Sequence, residues 1–344
     1  MSSILVTGGA GYIGSHTCKA LRRAGFNPIA YDNLARGNPE SVKWGALEVG
    51  ELADGVRLRE IFTRYRPIGV IHFAALAYVG EANLTPLTYY QNNVGGTAAL
   101  LDAMRECGVS KMVFSSSCAV YGAPNVIPIP EETSYAPINP YGATKMVCER
   151  MLRECATAFP LSFAALRYFN AAGADPDGEI GECHVPETHV IPLLLDAAAG
   201  ESECFTIFGD DYPTADGTCV RDYIHVADLA EAHVKAVRLV LDGAESTALN
   251  LGTGQGWSVR QLIASALEAT GCEIPVQVGA RRPGDPAVLI ADANRAQRQL
   301  GWRPKYADIN SQVMHAWAWR QSGCKTWQRM QKDRPAISPK VSQL

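Results

Sequence analysis

Long hydrophobic runs are missing from this sequence: no stretch approaches the ~18 to 20 uninterrupted apolar residues of a membrane-spanning helix. A basic excess is missing too. Lys and Arg number 31 against 35 Asp and Glu, a formal net charge of −4, so no broad cationic field draws nucleic acid or an anionic membrane. No nucleic-acid or membrane partner is expected. The start of the chain lacks a basic segment ahead of an apolar one, since Ser2 and Ser3 lead into a short apolar run broken by glycine, and a cytoplasmic protein is the expectation. The ten cysteines, scattered from Cys18 to Cys324, contain no C-x-x-C pair, which argues for reduced, mostly buried thiols over a disulfide framework or a zinc ribbon. Internal repeats and low-complexity segments are also absent. What remains is a 344-residue chain with 47% apolar residues, enough for a globular protein with a sizeable core.

The stretch LVTGGAGYIGSH, Leu5 to His16, is the first motif. Its glycines read as G-x-G-x-x-G (Gly9, Gly11, Gly14) or as G-x-x-G-x-x-G (Gly8, Gly11, Gly14). Context decides what they do. Ile4 to Val6 suit a buried parallel strand, and apolar residues recur at helical spacing from Tyr12 to Ala24, where Gly25 supplies the stop. Pro28 to Tyr31 then form a second strand ending at Asp32. Small residues at such a turn let backbone N–H groups approach a pyrophosphate, and the helix dipole attracts it. An acid ending the second strand accepts hydrogen bonds from an adenosine ribose and repels a 2′-phosphate, which favours NAD over NADP.

Further strands are expected at Val70 to Ala74, Lys111 to Ser116 and Leu161 to Tyr168, alternating with helices near Leu58 to Tyr65, Leu87 to Cys107 and Tyr141 to Ala158. This is an α/β pattern with a parallel sheet, whose ligands bind beyond the carboxyl ends of the strands. After about Asn170, Pro, Gly and aromatic or acidic loops such as FGDDYPTADGT become frequent, and a second, smaller lobe is expected. The tail from about Lys325, with weak periodicity and two prolines, is expected at the surface.

NPYGATK carries the chemical signal. Asn139 can cap a helix that Pro140 begins. Tyr141 and Lys145, four apart, then share a face, and an ammonium beside the phenol lowers a pKa of about 10 by roughly 1 to 3 units. Tyr141 thereby becomes a candidate base near neutral pH. SSSCAVYG, from Ser115 to Gly122, places serine hydroxyls at a strand end, where one can both donate to and accept from a substrate hydroxyl. Arg221 and Arg282 offer planar, permanently charged forks suited to a pyrophosphate. VRDYIHVADL reads as a strand leading to a helix that Asp228 caps and Glu231 supports.

Together these residues resemble the extended short-chain dehydrogenase/reductases, and within them the UDP-glucose 4-epimerases. The likeness runs through TGGAGYIG, DNL, HFAA, NNVGGT, SSSCAVYG, YGATK, LRYFNAAG, FGDDYPTADGTCVRDYIHVADL and RRPGDP. It implies an NAD-binding Rossmann-type parallel sheet flanked by helices, with a smaller C-terminal α/β substrate lobe. The expected division gives residues 1–175, with a returning segment at about 219–250, to NAD, and 176–335 mainly to a UDP-sugar. The catalytic trio of the family matches Ser117, Tyr141 and Lys145. Cofactor contacts are implied for Gly8, Gly11, Tyr12, Ile13, Gly14, Asp32, Asn33, Leu34, Glu51, Leu52, Phe73, Ala74, Ala75, Asn93, Ser115, Lys145, Tyr168 and Phe169. Besides Ser117 and Tyr141, the UDP-sugar is implied to meet Asn170, Val190, Phe208, Arg221, Tyr223, Arg282, Asp285 and Leu289. The implied activity interconverts UDP-galactose and UDP-glucose by transient oxidation at C4, rotation of the 4-keto sugar and hydride return, with NAD retained throughout. A homodimer through the helices near Leu87 to Cys107 and Tyr141 to Ala158 is also implied.

Some positions depart from the family pattern. Glu51 stands where an aspartate often meets adenine, Ala77 replaces a lysine, and His189 replaces an asparagine. Leu289, intermediate in bulk, occupies a position that gates N-acetylated sugars. Epimerases of UDP-N-acetylglucosamine, UDP-xylose or UDP-glucuronate are therefore alternatives, as is a non-catalytic NAD-sensing protein. A 4,6-dehydratase needs an acid after the serine strand, and SSSCAVYG has none. Cys183, His184, Glu187 and His189 crowd one loop, but their irregular spacing leaves no metal expected there. His72, His225 and His233 read as structural, and Trp317, Trp319 and Trp327 as packing.

Overall fold

The fold is described from a computed structural model that covers residues 1–282, 284–324 and 327. Nearly all of the expected surface tail, and Pro283 of RRPGDP, lie outside the described residues. A seven-stranded sheet forms the centre, in the order Thr247–Leu251, Ser162–Tyr168, Lys111–Ser115, Gly69–His72, Ser3–Thr7, Asn27–Asp32 and Ala46–Val49. Every neighbouring pair is parallel. The order reverses at Ser3–Thr7, the switch point at which doubly wound sheets open a crevice for ligands.

Alternation within the first strand shows how the sheet is buried. Ile4 and Val6 join Leu21, Val237 and Leu249 on one face, while Leu5 joins Leu58, Leu100, Met104 and Leu152 on the other. Helices Tyr12–Arg23 and Val226–Leu241 cover the first face, and Gly55–Tyr65, Gly96–Glu106 and Pro140–Ala158 the second. Both faces are dry, so the strands carry continuous apolar runs.

A separate core gathers Leu194, Leu195, Phe205, Leu262, Ile309 and Val313. It supports three short pairings: Asn170–Ala172 with Tyr223–His225, Phe205–Phe208 with Val276–Gly279, and Val220–Arg221 between Trp257–Ser258 and Val288–Leu289. The expected Leu87–Cys107 helix is instead Pro86–Tyr89, a wider π turn at Tyr90–Gly95, and Gly96–Glu106. The strand Ala46–Val49 was not expected from the sequence. VRDYIHVADL also folds differently from the expectation. His225, not Asp228, caps Val226–Leu241, its ring accepting from the Ala227 amide, while the Asp228 carboxylate accepts from the amides of Lys305 and Tyr306. Asp228 thus lies inside the first turn, drawn to a distant segment that local spacing does not reveal.

Candidate active site

The glycine turn is packed too closely for side chains. Gly8 has φ +72°, and a Cβ there would lie 2.6 Å from the Ala74 nitrogen; one on Gly14 would lie 2.1 Å from the Gly8 carbonyl oxygen. These contacts bring helix Tyr12–Arg23 hard against the strand ends. The helix starts at Gly11 with no side-chain cap and no acid in its first turn, leaving amide donors and a positive dipole end for an anion. Beside them Asp32 is buried, its carboxylate accepting from the amides of Ala10 (3.0 Å) and Leu34 (2.9 Å). Burial raises its pKa, against the pull of these two hydrogen bonds.

A pocket opens over this helix start, lined by Gly11, Tyr12, Ser15, Arg36, Asn38, Gly181 and His184 among others. Asn38 brings a buried side-chain amide with no partner on either its oxygen or its nitrogen among the described residues. An uncapped helix start, an orphaned amide and a ribose-type acid fit a dinucleotide. Asn38 escaped the sequence reading because an asparagine after a glycine-rich loop looks like an ordinary turn residue. Tyr12 donates to the Gly173 carbonyl at 2.6 Å. Asn33 donates to Glu51 at 3.0 Å, so the departure at Glu51 still supplies a carboxylate next to the expected ribose acid. Leu52 packs close to Gly96, and Phe73 lies against His233, ring centroids 4.6 Å apart. The amides of Phe73 and Ala74 both donate to the Thr7 carbonyl. The Ala75-to-Ala77 loop is tied down by Asn93, which accepts from the Leu76 amide and donates to the Leu76 carbonyl and to Thr144 on helix Pro140–Ala158.

That helix, Pro140–Ala158, begins as its sequence implies: Asn139 accepts from the Gly142 amide at 2.8 Å and Pro140 occupies the first turn. Such a cap is worth about 1 kcal/mol. A Cβ on Gly142 would meet the Ala119 carbonyl at 2.5 Å, so the helix start presses on the turn after the serine triplet. The three serines separate. Ser115 shares a hydrogen bond with Tyr168, Ser116 donates to Glu149 inside the core, and Ser117 caps the Cys118–Tyr121 turn with its hydroxyl near the Tyr141 phenol. Lys145 is buried, 5.8 Å from the centre of the Tyr141 ring, and donates to the Ser115 carbonyl at 2.7 Å.

The balance at Tyr141 differs from the expectation. Burial raises its pKa well above the usual value, the Tyr168 phenol adds to this, and the Ser117 hydroxyl only partly opposes it. Lys145 is itself pushed down to about 8, chiefly by burial. Desolvation dominates at this phenol and favours its neutral form.

A network the sequence did not announce fixes this geometry. Glu149, one helical turn after Lys145, receives Arg167 on both oxygens (2.8 and 2.7 Å), Ser116 at 2.5 Å and Tyr135 at 2.6 Å. Burial alone would raise the Glu149 pKa, but Arg167 and the hydroxyls hold it below the ordinary range. Arg167 also donates to Tyr121, which donates to Asn250. The network locks the serine strand, helix Pro140–Ala158, and strands Ser162–Tyr168 and Thr247–Leu251 together. A glutamate at i+4 from a lysine reads from sequence as a surface pair, so its burial was hidden.

The implied UDP-sugar residues converge from the smaller elements. Arg221 donates to Asp285 at 2.5 Å and to the Val220 carbonyl, so two expected substrate contacts pair with each other here. Arg282 lies over the Phe208 ring, 4.1 Å from its centre. Tyr223 is buried next in register to Asn170, and Leu289 pairs with Arg221 and packs with Phe169 and Tyr121. Val190 opens helix Val190–Ala198. His72, held between Thr7 and Thr97, His225 and His233 are buried and pushed down to about 3, 3 and 4 by desolvation, as structural histidines should be. Trp319 and Trp327 pack edge to face at 4.7 Å, and Trp317 packs against the second core. At 182–189 Glu182, not Cys183, joins His184, Glu187 and His189 in one cluster; the Cys183 thiol faces Cys324 instead.

A glycine turn at the switch point, an acid ending the second strand, and a tyrosine, lysine and serine beyond the strand ends define a dinucleotide-dependent α/β enzyme. The family model "NAD dependent epimerase/dehydratase family" matches residues 4–252, and the chain belongs to that family. It is 50% identical over 318 residues to the UDP-glucose 4-epimerase of Rhizobium meliloti (strain 1021), a match spanning 92% of this chain and 97% of that one. The UDP-glucose 4-epimerase of Brucella ovis, solved with NAD, superposes with a TM-score of 0.90 at 50% identity, over 92% of this chain and 98% of that one. The Bifidobacterium longum UDP-glucose 4-epimerase, solved with NAD+ and UDP, gives 0.89 at 38% identity, over 94% and 99%.

Proposed function

We propose that this enzyme interconverts UDP-galactose and UDP-glucose by acting on C4 of the hexose through Ser117, Tyr141 and Lys145. The observation that carries this reading is the meeting of Tyr141 with Ser117 at the strand ends, with Lys145 buried on the same helix face. Ser117 can relay a proton between the sugar 4-hydroxyl and Tyr141, because a hydroxyl both donates and accepts. Tyr141 takes that proton and later returns it, and Lys145 supplies the nearby positive charge. When bound, NAD supplies the hydride acceptor for C4 and a cationic ring that favours the phenolate. The turn at Gly8, Gly11 and Gly14, with Tyr12, Asn38 and Asp32, would hold it. Arg221 and Arg282 would grip the pyrophosphate and Asp285 the uridine ribose, so the nucleotide stays fixed while the hexose swings to present its other face.

The same reading assigns residues 1–175 and about 219–250 to NAD and 176–335 mainly to the UDP-sugar. It places the protein in the cytoplasm, a reducing compartment that suits ten free thiols, and no helix among the described residues is long and apolar enough to cross a membrane. It also includes a homodimer, supported by Leu84 and Leu87, 84% and 76% exposed beside the catalytic helix.

The test is turnover of UDP-galactose by purified protein with no nicotinamide added, reading UDP-glucose by chromatography. Conversion is expected. Failure both with and without added NAD, while a UDP-pentose or UDP-uronate is epimerised, would overturn the choice of hexose.

A further inference from the structure

The loop from Glu182 to His189 contains two E-x-H units, Glu182-Cys183-His184 and Glu187-Thr188-His189. Spacing counted from Cys183 hides this repeat. Folding brings all four acid and imidazole groups together, one ligand atom from each lying within 4.8 Å of every other. Glu182 Oε1 lies 3.1 Å from His184 Nδ1 and 2.8 Å from His189 Nδ1. Glu187 closes the figure, one oxygen 2.9 Å from His189 Nδ1 and the other 3.7 Å from His184 Nδ1.

We propose that Glu182, His184, Glu187 and His189 form a binding site for a single divalent transition-metal ion of the zinc type. Four ligands around zinc, each at about 2.0 to 2.2 Å, stand roughly 3.3 Å apart in a tetrahedron. The observed separations straddle that spacing; the contacts of His184 with Glu182 and of His189 with Glu187 are hydrogen bonds in this structure, and an ion entering the cluster takes the place of their protons. Imidazole nitrogen with carboxylate oxygen selects a borderline ion over calcium or magnesium, which prefer oxygen alone. The ligand shell is already oriented. The amides of Thr188 and His189 donate to Glu187 at 2.7 and 2.8 Å, and Trp319 donates to the Glu182 carbonyl at 3.0 Å. Such outer contacts are what fix metal ligands in place. A cavity lined by Glu182, His184, Glu187, Asp196 and Arg320 adjoins the cluster.

The consequence is local fastening. His184 lines the pocket over the glycine turn and stacks edge-on to Tyr12, while His189 precedes helix Val190–Ala198. One ion would bind both ends of this loop to each other. The ligand geometry carries this inference, and it does not depend on which UDP-sugar is turned over.

The experiment uses the full chain, purified without metal-affinity steps, stripped with a chelator and titrated with Zn2+, with bound metal counted by elemental analysis after gel filtration. One equivalent per chain is expected, retained by the Cys183→Ser/Cys324→Ser variant and lost from His184→Ala/His189→Ala. Glu187→Gln, which keeps the shape of the loop, is expected to weaken binding at least 10-fold; it also tests the site if the double histidine variant misfolds. No binding by the parent chain would overturn the proposal. So would undiminished binding by both the histidine and Glu187→Gln variants, or loss confined to the cysteine variant.

Discussion

Arg167 with Glu149 and Arg221 with Asp285 are the same chemical pair placed in different surroundings. The first is sealed: side-chain exposure is 4% and 1%, and serine and tyrosine hydroxyls join Arg167 on the carboxylate. The second is partly open, with Arg221 at 10% and Asp285 at 26%, and Arg221's other hydrogen bonds go only to backbone carbonyls. A closed pair has no capacity left for a ligand and can only hold elements in register. An open pair can exchange one partner for a phosphate or a ribose hydroxyl.

Breaking the closed pair should have the largest effect on stability. Arg167→Met leaves the buried Glu149 with only the longer contact from the half-exposed Arg153, 3.3 Å away, and is expected to cost about 3 kcal/mol in denaturant unfolding. Arg167→Met with Glu149→Leu should recover most of that loss, because no unpaired charge remains.

Lys145 sharpens the comparison, being a buried cation held by a carbonyl where Arg167 has a carboxylate. Its pKa falls from 10.5 to about 8 by burial, so the folded state gives up its proton before the unfolded chain does. Stability should therefore rise as pH climbs from about 8 to about 10.5. Lys145→Met should be the more stable protein below pH 8, by no more than about 3 kcal/mol, and the gain should vanish above pH 10.5. The same variant should lose catalysis, which separates a functional charge from a structural one.

The open pair should give the smallest change in stability. Arg221→Met is expected to lower it by less than Arg167→Met does, because water reaches the Asp285 left behind, while raising the KM for UDP-galactose about 10- to 100-fold, the worth of a charge-assisted hydrogen bond. A large loss of stability with unchanged KM would place this pair with the closed one.

How much the sequence revealed follows the same divide between local and distant partners. The glycine turn, Asp32 and the Asn139-Pro140-Tyr141 start of helix Pro140–Ala158 are local patterns, each with a steric or capping reason within a few residues. Asp228 was misassigned as a cap because the amides it serves belong to Lys305 and Tyr306. Glu149 and Arg167 were invisible as a pair, 18 residues apart on a helix and a strand. The same applies to Tyr141: its spacing from Lys145 was legible, but the burial that raises its pKa depends on Tyr168 and the surrounding core. The E-x-H repeat was present in plain letters, and only the fold shows that its two halves face each other.

Tyr141→Phe is the most direct test of the account, with kcat for UDP-galactose measured beside thermal unfolding of the same samples. Removing the one hydroxyl that meets Ser117 should lower kcat about 10²- to 10⁴-fold, the range of a general acid–base group, with the melting temperature nearly unchanged. Turnover within a few-fold of the parent enzyme would contradict the assignment of Tyr141 as the base.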